Sequence, residues 1–173
     1  MTNISNKGFW LWGAFSKKET ENLKYANRIL NSILIGPSFH PHLTLYGPIK
    51  SLDNVDKKNI EKICSEIKKF ELKIKNLEIG TNKYQSIYLV PEYGNKLLDL
   101  RANLIKKIKP ITKQSEYIPH ISLYYGDKTY TEKKKALLET NLTLKKITFK
   151  SVCYVYVDEE KDLWEIIESF DLS

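Results

Sequence analysis

The sequence is poor in the residues that would staple it, anchor it in a membrane or leave it unfolded. Only two of its 173 residues are cysteines, Cys64 and Cys153. They form neither a C-x-x-C pair nor the dense even set of a disulfide framework, so they read as buried thiols in a reducing compartment. Seven glycines and six prolines are too few for a collagen-like or low-complexity chain. No apolar run approaches the ~20 residues of a membrane-spanning helix. The stretch Gly8 to Phe15 after Lys7 mimics a secretory signal, but it lacks a small-x-small cleavage site and its tryptophans suit a strand. A cytoplasmic protein with no membrane attachment is the expectation.

Arginine is scarce too. Arg28 and Arg101 stand alone among 28 basic residues, and the rest are lysine. Net charge is +7 with a pI near 9.2. Seven acids fall between Asp158 and Asp171 against Lys161 alone, so the remainder is more basic than the total suggests. A nucleotide or RNA partner fits that balance. The lysine runs at 57–58, 106–107 and 133–135 fall within predicted helices and read as solvated faces, and the acidic segment reads as a solvated edge. There is no carboxylate–histidine spacing of the usual metal-ligand kinds, so no metal or cofactor is expected.

Hydrophobic residues at 42% and charged residues at 28% describe an ordinary globular chain. Phe9–Phe15 reads as a strand. Ser16 to Glu19 has the pattern of a capping box, after which Leu23, Ala26, Leu30, Ile33 and Leu34 recur at helical spacing until Gly36-Pro37. Phe39–Tyr46 reads as a strand ended by Gly47-Pro48. A helix marked by Ile60, Ile63, Cys64 and Ile67 and a strand over Leu72–Ile79 follow. The order then recurs, with a strand over Tyr84–Val90, a helix marked by Leu97, Leu100, Leu104 and Ile108, and a strand over Ile118–Tyr124. A capping box at Thr129 to Glu132 opens a helix through Leu138, and Ile147–Val157 and Leu163–Phe170 read as strands.

A shift of 78 residues lays Pro41-His-Leu-Thr-Leu45 on Pro119-His-Ile-Ser-Leu123, and Ile74, Leu77 and Ile79 on Val152, Val155 and Val157. The chain is therefore a duplicated β-α-β-α-β unit. The expected fold is α+β and bilobal: two antiparallel sheets line a central cleft, with helices outside. One domain spans 1–173, with lobes built from approximately 1–80 and 81–173.

Two of the three histidines, His42 and His120, occupy equivalent places in the repeat. With a strand period of two, His42 and Thr44 share one face, and His120 and Ser122 share another. Pseudo-twofold symmetry would bring the two pairs together. Two imidazoles held with one neutral and one protonated can activate a nucleophile and protonate a leaving oxygen, while two hydroxyls bind non-bridging phosphate oxygens. The third histidine, His40, reads as a solvated residue at the strand mouth.

Paired H-x-[ST]-hydrophobic motifs resemble the two-histidine (2H) phosphoesterase superfamily, and within it the cyclic phosphodiesterases. Phe9-Trp-Leu-Trp12, Phe39 to Leu45, Tyr84 to Leu89 and Pro119 to Asp127 carry the likeness. It implies His42 and His120 as the acid–base pair, Thr44 and Ser122 on the phosphate, and a nearby tyrosine contacting it. Tyr125 aligns with that tyrosine, whereas strict alternation selects Tyr124 unless a bulge intervenes before Gly126. Trp12 is either a nucleoside-stacking residue or a packing one. The implied activity is metal-independent hydrolysis of a ribose cyclic phosphate by a monomer. Cyclic oligonucleotides, RNA cyclic or 2′-5′ ends, and a non-catalytic nucleotide-binding module are the alternatives.

Overall fold

The computed structural model describes residues 7–114 and 116–173. The first six residues of the expected domain lie outside them. In chain order the elements are β1 (Lys7–Phe15), α1 (Lys17–Leu34), β2 (Leu43–Ile49), α2 (Asn54–Ser65), β3 (Phe70–Asn82), β4 (Gln85–Pro91), α3 (Asn95–Lys107), β5 (Ile121–Tyr124), α4 (Tyr130–Leu138), β6 (Lys146–Asp158) and β7 (Leu163–Asp171), with a short 3-10 turn at Glu159–Lys161. The α+β class and the duplicated order are as expected.

The two expected sheets are joined into one antiparallel sheet ordered β1-β2-β5-β4-β3-β6-β7, and β1 also pairs with β6. Six strands thus close on themselves, with β7 outside on β6. The joins are short: β2 meets β5 at the single pair Leu43–Ile121, and β3 meets β6 only over Phe70–Lys73. The cause is an exchange of third strands. β3 of the first repeat pairs with β4, and β6 of the second pairs along the whole of β1. The residues that mimicked a secretory signal therefore form a strand hydrogen-bonded on both edges.

Helix spacing reads true for most positions, though Ile33 of α1 is exposed and Ile67 lies beyond the end of α2. Leu23, Ala26, Leu30 and Leu34 of α1, and Leu97, Leu100 and Leu104 of α3, are at most 2% exposed. α1 lies against β5 and α4, and α2 against α3, β6 and β7. Thr129 and Glu132 close the expected capping box, but Ser16 makes no side-chain cap; its backbone N–H goes to Thr148 O on β6 and the Glu19 carboxylate accepts from the Thr148 hydroxyl. Two further expectations fail. Lys133 is 4% exposed and donates to the Gly80 carbonyl at 2.7 Å, so that lysine run is not a uniformly solvated face. Asp158 is 1% exposed and pairs with Lys7 at 3.3 Å, so the acidic segment is anchored at its start.

One local device recurs and sets the site. Leu11 lies opposite Tyr46 but Trp12 opposite Thr44, which leaves Leu45 as an extra residue in β2. Ile87 lies opposite Tyr124 but Tyr88 opposite Ser122, which leaves Leu123 extra in β5. Each motif is thus followed at once by a β-bulge. A bulged carbonyl loses its ladder partner, and a helix side chain from the other repeat supplies one: Arg101 Nε donates to Leu45 O at 2.8 Å, and Asn27 Nδ2 to Leu123 O at 2.9 Å. The tyrosines beyond the bulges turn to the helix side, where Tyr46 donates to Ile108 O and Tyr124 to Leu34 O. Among the described residues, no helix is long and apolar enough to cross a membrane.

Candidate active site

The Leu43–Ile121 pair fixes how the motifs meet. Continued by one residue in each direction, its antiparallel register sets His42 across from Ser122 and Thr44 across from His120. Both histidines sit just before their strands begin, since β2 starts at Leu43 and β5 at Ile121 rather than at Phe39 and Ile118. The reason is visible at the carbonyls two residues back. His42 Nδ1 lies 2.7 Å from His40 O, and His120 Nδ1 lies 3.0 Å from Ile118 O. A carbonyl only accepts, so each Nδ1 carries its proton and each Nε2 is the nitrogen left for chemistry.

A cavity of about 410 Å³ lies between them, lined by His42, Thr44, His120, Tyr125, Trp10 and Trp12 together with Tyr84, Gln85, Glu159 and Trp164. The bulge at Leu123 decides between the two candidate tyrosines. Tyr124 points away into the core, and Tyr125 returns to the cleft, stacked on Phe39 at 4.1 Å between ring centroids. Ser122 is brought close but not presented. It is 4% exposed, its hydroxyl donates to Tyr84 O at 2.9 Å, and its oxygen faces the Tyr125 hydroxyl. Trp12 is 3% exposed and lies flat on His42, with centroids 3.4 Å apart and planes 6° from parallel. The stacking surface expected for a nucleoside is therefore occupied by the imidazole, and Trp12 positions His42. His40 is half-buried and lines a separate cavity with Lys24 and Arg28.

The electrostatics differ between the histidines. Burial pushes His42 down to about 3; the bond to the His40 carbonyl opposes this, and the charges of the other two histidines add to it. His120 is also lowered by burial, less far, with the Ile118 carbonyl opposing. Burial raises the Tyr125 phenol, which keeps it a neutral donor, and raises Tyr84 to about 12 with Glu159 as the next cause. Among the described residues, no three His, Cys, Asp or Glu side chains gather where they would hold a metal ion.

The sequence reading missed Gln85, whose amide nitrogen stands 3.4 and 3.5 Å from the two ring nitrogens of His120. It also missed Trp10, Tyr84, Glu159 and Trp164. The signal for Gln85 and Tyr84 was their place in the Tyr84–Leu89 match; nothing in the sequence marked Glu159, in the turn after β6, or Trp164, at the start of β7. Tyr88 was quoted only as a match, yet it packs its edge against His120 with centroids 5.7 Å apart.

The fold and sequence are shared with known proteins. The chain is 24% identical over 136 residues to the cyclic phosphodiesterase of Arabidopsis thaliana, which spans 79% of this chain and 75% of that protein. E. coli LigT in its apo form superposes with a TM-score of 0.62 at 10% identity, covering 98% of this chain and 99% of LigT. A further solved phosphoesterase superposes at 0.59 and 11% identity over 96% and 98% of the two chains. The model of the 2′-5′ RNA ligase superfamily matches residues 37–160, which include both histidine motifs and both bulges. The chain therefore belongs to the 2′-5′ RNA ligase superfamily, the two-histidine phosphoesterases, and is an enzyme of the phosphodiester-hydrolysing class.

Proposed function

We propose that the cleft opens a cyclic phosphate on a ribose by attack of water, with His42 as general base and His120 as general acid, and without a metal. The observation that carries this is the matched hang of the imidazoles: each spends Nδ1 on a backbone carbonyl and leaves Nε2 for the cavity. Nε2 of His42 takes a proton from water as its oxygen bonds to phosphorus. The bond from phosphorus to one ribose oxygen breaks, and Nε2–H of His120 gives that oxygen its proton. The products are a phosphomonoester and a free ribose hydroxyl, and solvent exchange returns the two protons. Thr44 donates to a non-bridging oxygen, as does the neutral Tyr125 phenol, while the Ser122 hydroxyl, held on the Tyr84 carbonyl, plays the smaller part.

The order of the proton affinities supports this assignment of roles. Since His42 holds its proton less tightly than His120, the majority form with one proton has His42 neutral and His120 charged. The reverse assignment needs the minority form. A bound phosphate anion raises both values toward the working range.

The test is turnover in chelator. Nucleoside 2′,3′-cyclic phosphates, ADP-ribose 1″,2″-cyclic phosphate, cyclic di- and trinucleotides and RNA with a 3′-terminal cyclic phosphate are assayed side by side by phosphorus NMR. Ring opening to a monoester with EDTA present is the expected result. Tight binding with no turnover of any substrate would instead support a nucleotide-binding module.

A further inference from the structure

We propose that a second cavity beside the histidine cleft binds a second phosphate of the substrate, carried on the other side of the nucleoside from the cyclic phosphate, and that Arg101 reads it. This rests on the cyclic-phosphate function proposed above.

The cavity is about 570 Å³, larger than the histidine cavity, and it shares Trp10, Thr44, Gln85 and His120 with it. The two cavities are therefore neighbours, within reach of one substrate that has a phosphate between the histidines. Its far side carries Arg101 and Lys113, with Glu116 the acid there. Arg101 is one of two arginines in the chain. Its Nε is spent on the Leu45 carbonyl, and its guanidinium lies 4.2 Å above the Tyr117 ring, which fixes the plane of the fork. Among the described residues no carboxylate pairs with it, and its hydrogen bond to Leu45 uses Nε rather than a terminal nitrogen of the fork. A fixed, half-buried fork suits bidentate phosphate recognition, which a lysine does not reproduce.

Two unpartnered donors lie on side chains of the same cavity wall. Among the described residues, five buried side-chain polar atoms lack a hydrogen-bond partner, and two of them, Trp10 Nε1 and Tyr117 Oη, belong to residues lining this cavity, each atom covered and reaching a ligand only if its ring shifts. Both are neutral donors, because burial raises the Tyr117 phenol.

The test uses a substitution that spares the fold. In Arg101→Gln the amide nitrogen falls at the chain position of Nε, so the Leu45 carbonyl keeps a donor while the terminal fork is removed. Binding of a nucleoside 3′,5′-bisphosphate and of the matching 3′-monophosphate is measured calorimetrically for the wild-type protein and this variant. The wild type is expected to prefer the bisphosphate at least ~10-fold, the scale of one charge-assisted bidentate contact. R101Q is expected to bring that ratio within about twofold, and Lys113→Gln to lower it in part. A wild-type ratio near one, or an unchanged ratio in R101Q, overturns the subsite. A parallel assay compares hydrolysis of a nucleoside 2′,3′-cyclic phosphate bearing a 5′-hydroxyl, a 5′-phosphate or an internucleotide phosphate. Preference for the second or the third form identifies a free nucleotide or an RNA end as the source. No hydrolysis of any of the three sinks the proposed reaction, while the binding ratio still decides the subsite.

Discussion

His42 and His120 stand at equivalent points of the repeat, yet the first is 6% exposed and pressed flat against Trp12, while the second is half-buried and meets Tyr88 edge-on. Trp12 and Tyr88 are themselves equivalent, since they lie opposite Thr44 and Ser122. The backbone devices were kept alike in both halves: the carbonyl hold on Nδ1, the bulge, and the helix side chain that caps it. The side chains around them diverged. Tyr125 in the second half corresponds to Gly47 in the first, where a Cβ would come within 2.3 Å of Trp10. A symmetric frame thus holds an asymmetric pair of imidazoles, which is what a reaction needing one base and one acid requires.

The largest effect expected from breaking this pair is on turnover. His42→Gln and His120→Gln are each expected to lower kcat by at least ~100-fold, the scale of general acid–base groups. The halves separate in the pH profile of the remaining activity, measured from pH 4 to 9. Loss of the base removes the acid limb, and loss of the acid removes the alkaline limb. If His42→Gln removed the alkaline limb instead, the two roles would be exchanged.

The hydroxyls sharpen the same comparison at smaller scale. Thr44 lines the histidine cavity, whereas Ser122 donates to the Tyr84 carbonyl. Thr44→Ala is expected to cost ~100-fold in kcat/KM, the loss of one preorganised donor to a charged oxygen, and Ser122→Ala under ~10-fold. Equal losses in the two variants would show that Ser122 rotates fully onto the phosphate in the bound state.

The sequence showed the pairing of the motifs because strand alternation and a 78-residue repeat are both written in residue order. The α+β class and the apolar helix faces were legible for the same reason. The choice between Tyr124 and Tyr125 was not, because a bulge leaves no residue signature: Leu123 looks like any core leucine until its register against β4 is seen. The joining of two sheets into one depends on strands exchanged between repeats, a long-range pairing that local pattern does not encode. Ser16 had the residues of a cap, but Thr148, far along the chain, engages both its N–H and the Glu19 carboxylate. Arg101 was noticed only for being rare. Its place on Leu45 and Tyr117 is a tertiary fact. The unequal burial of two histidines in identical motifs likewise belongs to what packs over them, and so the assignment of base and acid had to wait for the fold.

The smallest of the three effects is on stability, and it isolates the buried half. The folded protein holds His42 near 3, against 6.5 for an unrestrained imidazole, so below pH 6.5 the unfolded chain binds a proton that the native state refuses. Stability contributed by this group is complete above 6.5 and falls as pH drops from 6.5 toward 3, the sign for a histidine buried neutral. His40 and His120 are lowered too and act in the same direction. Between pH 6.5 and 5 the wild-type protein is expected to lose about 1.5 kcal/mol more than His42→Gln, each referenced to its own value at pH 7.5. Urea midpoints measured across that interval check it, because the carboxylates contribute alike to both proteins and cancel. Parallel curves would mean that His42 titrates near its ordinary value in the native state, and the two imidazoles would then be alike in charge as well as in sequence.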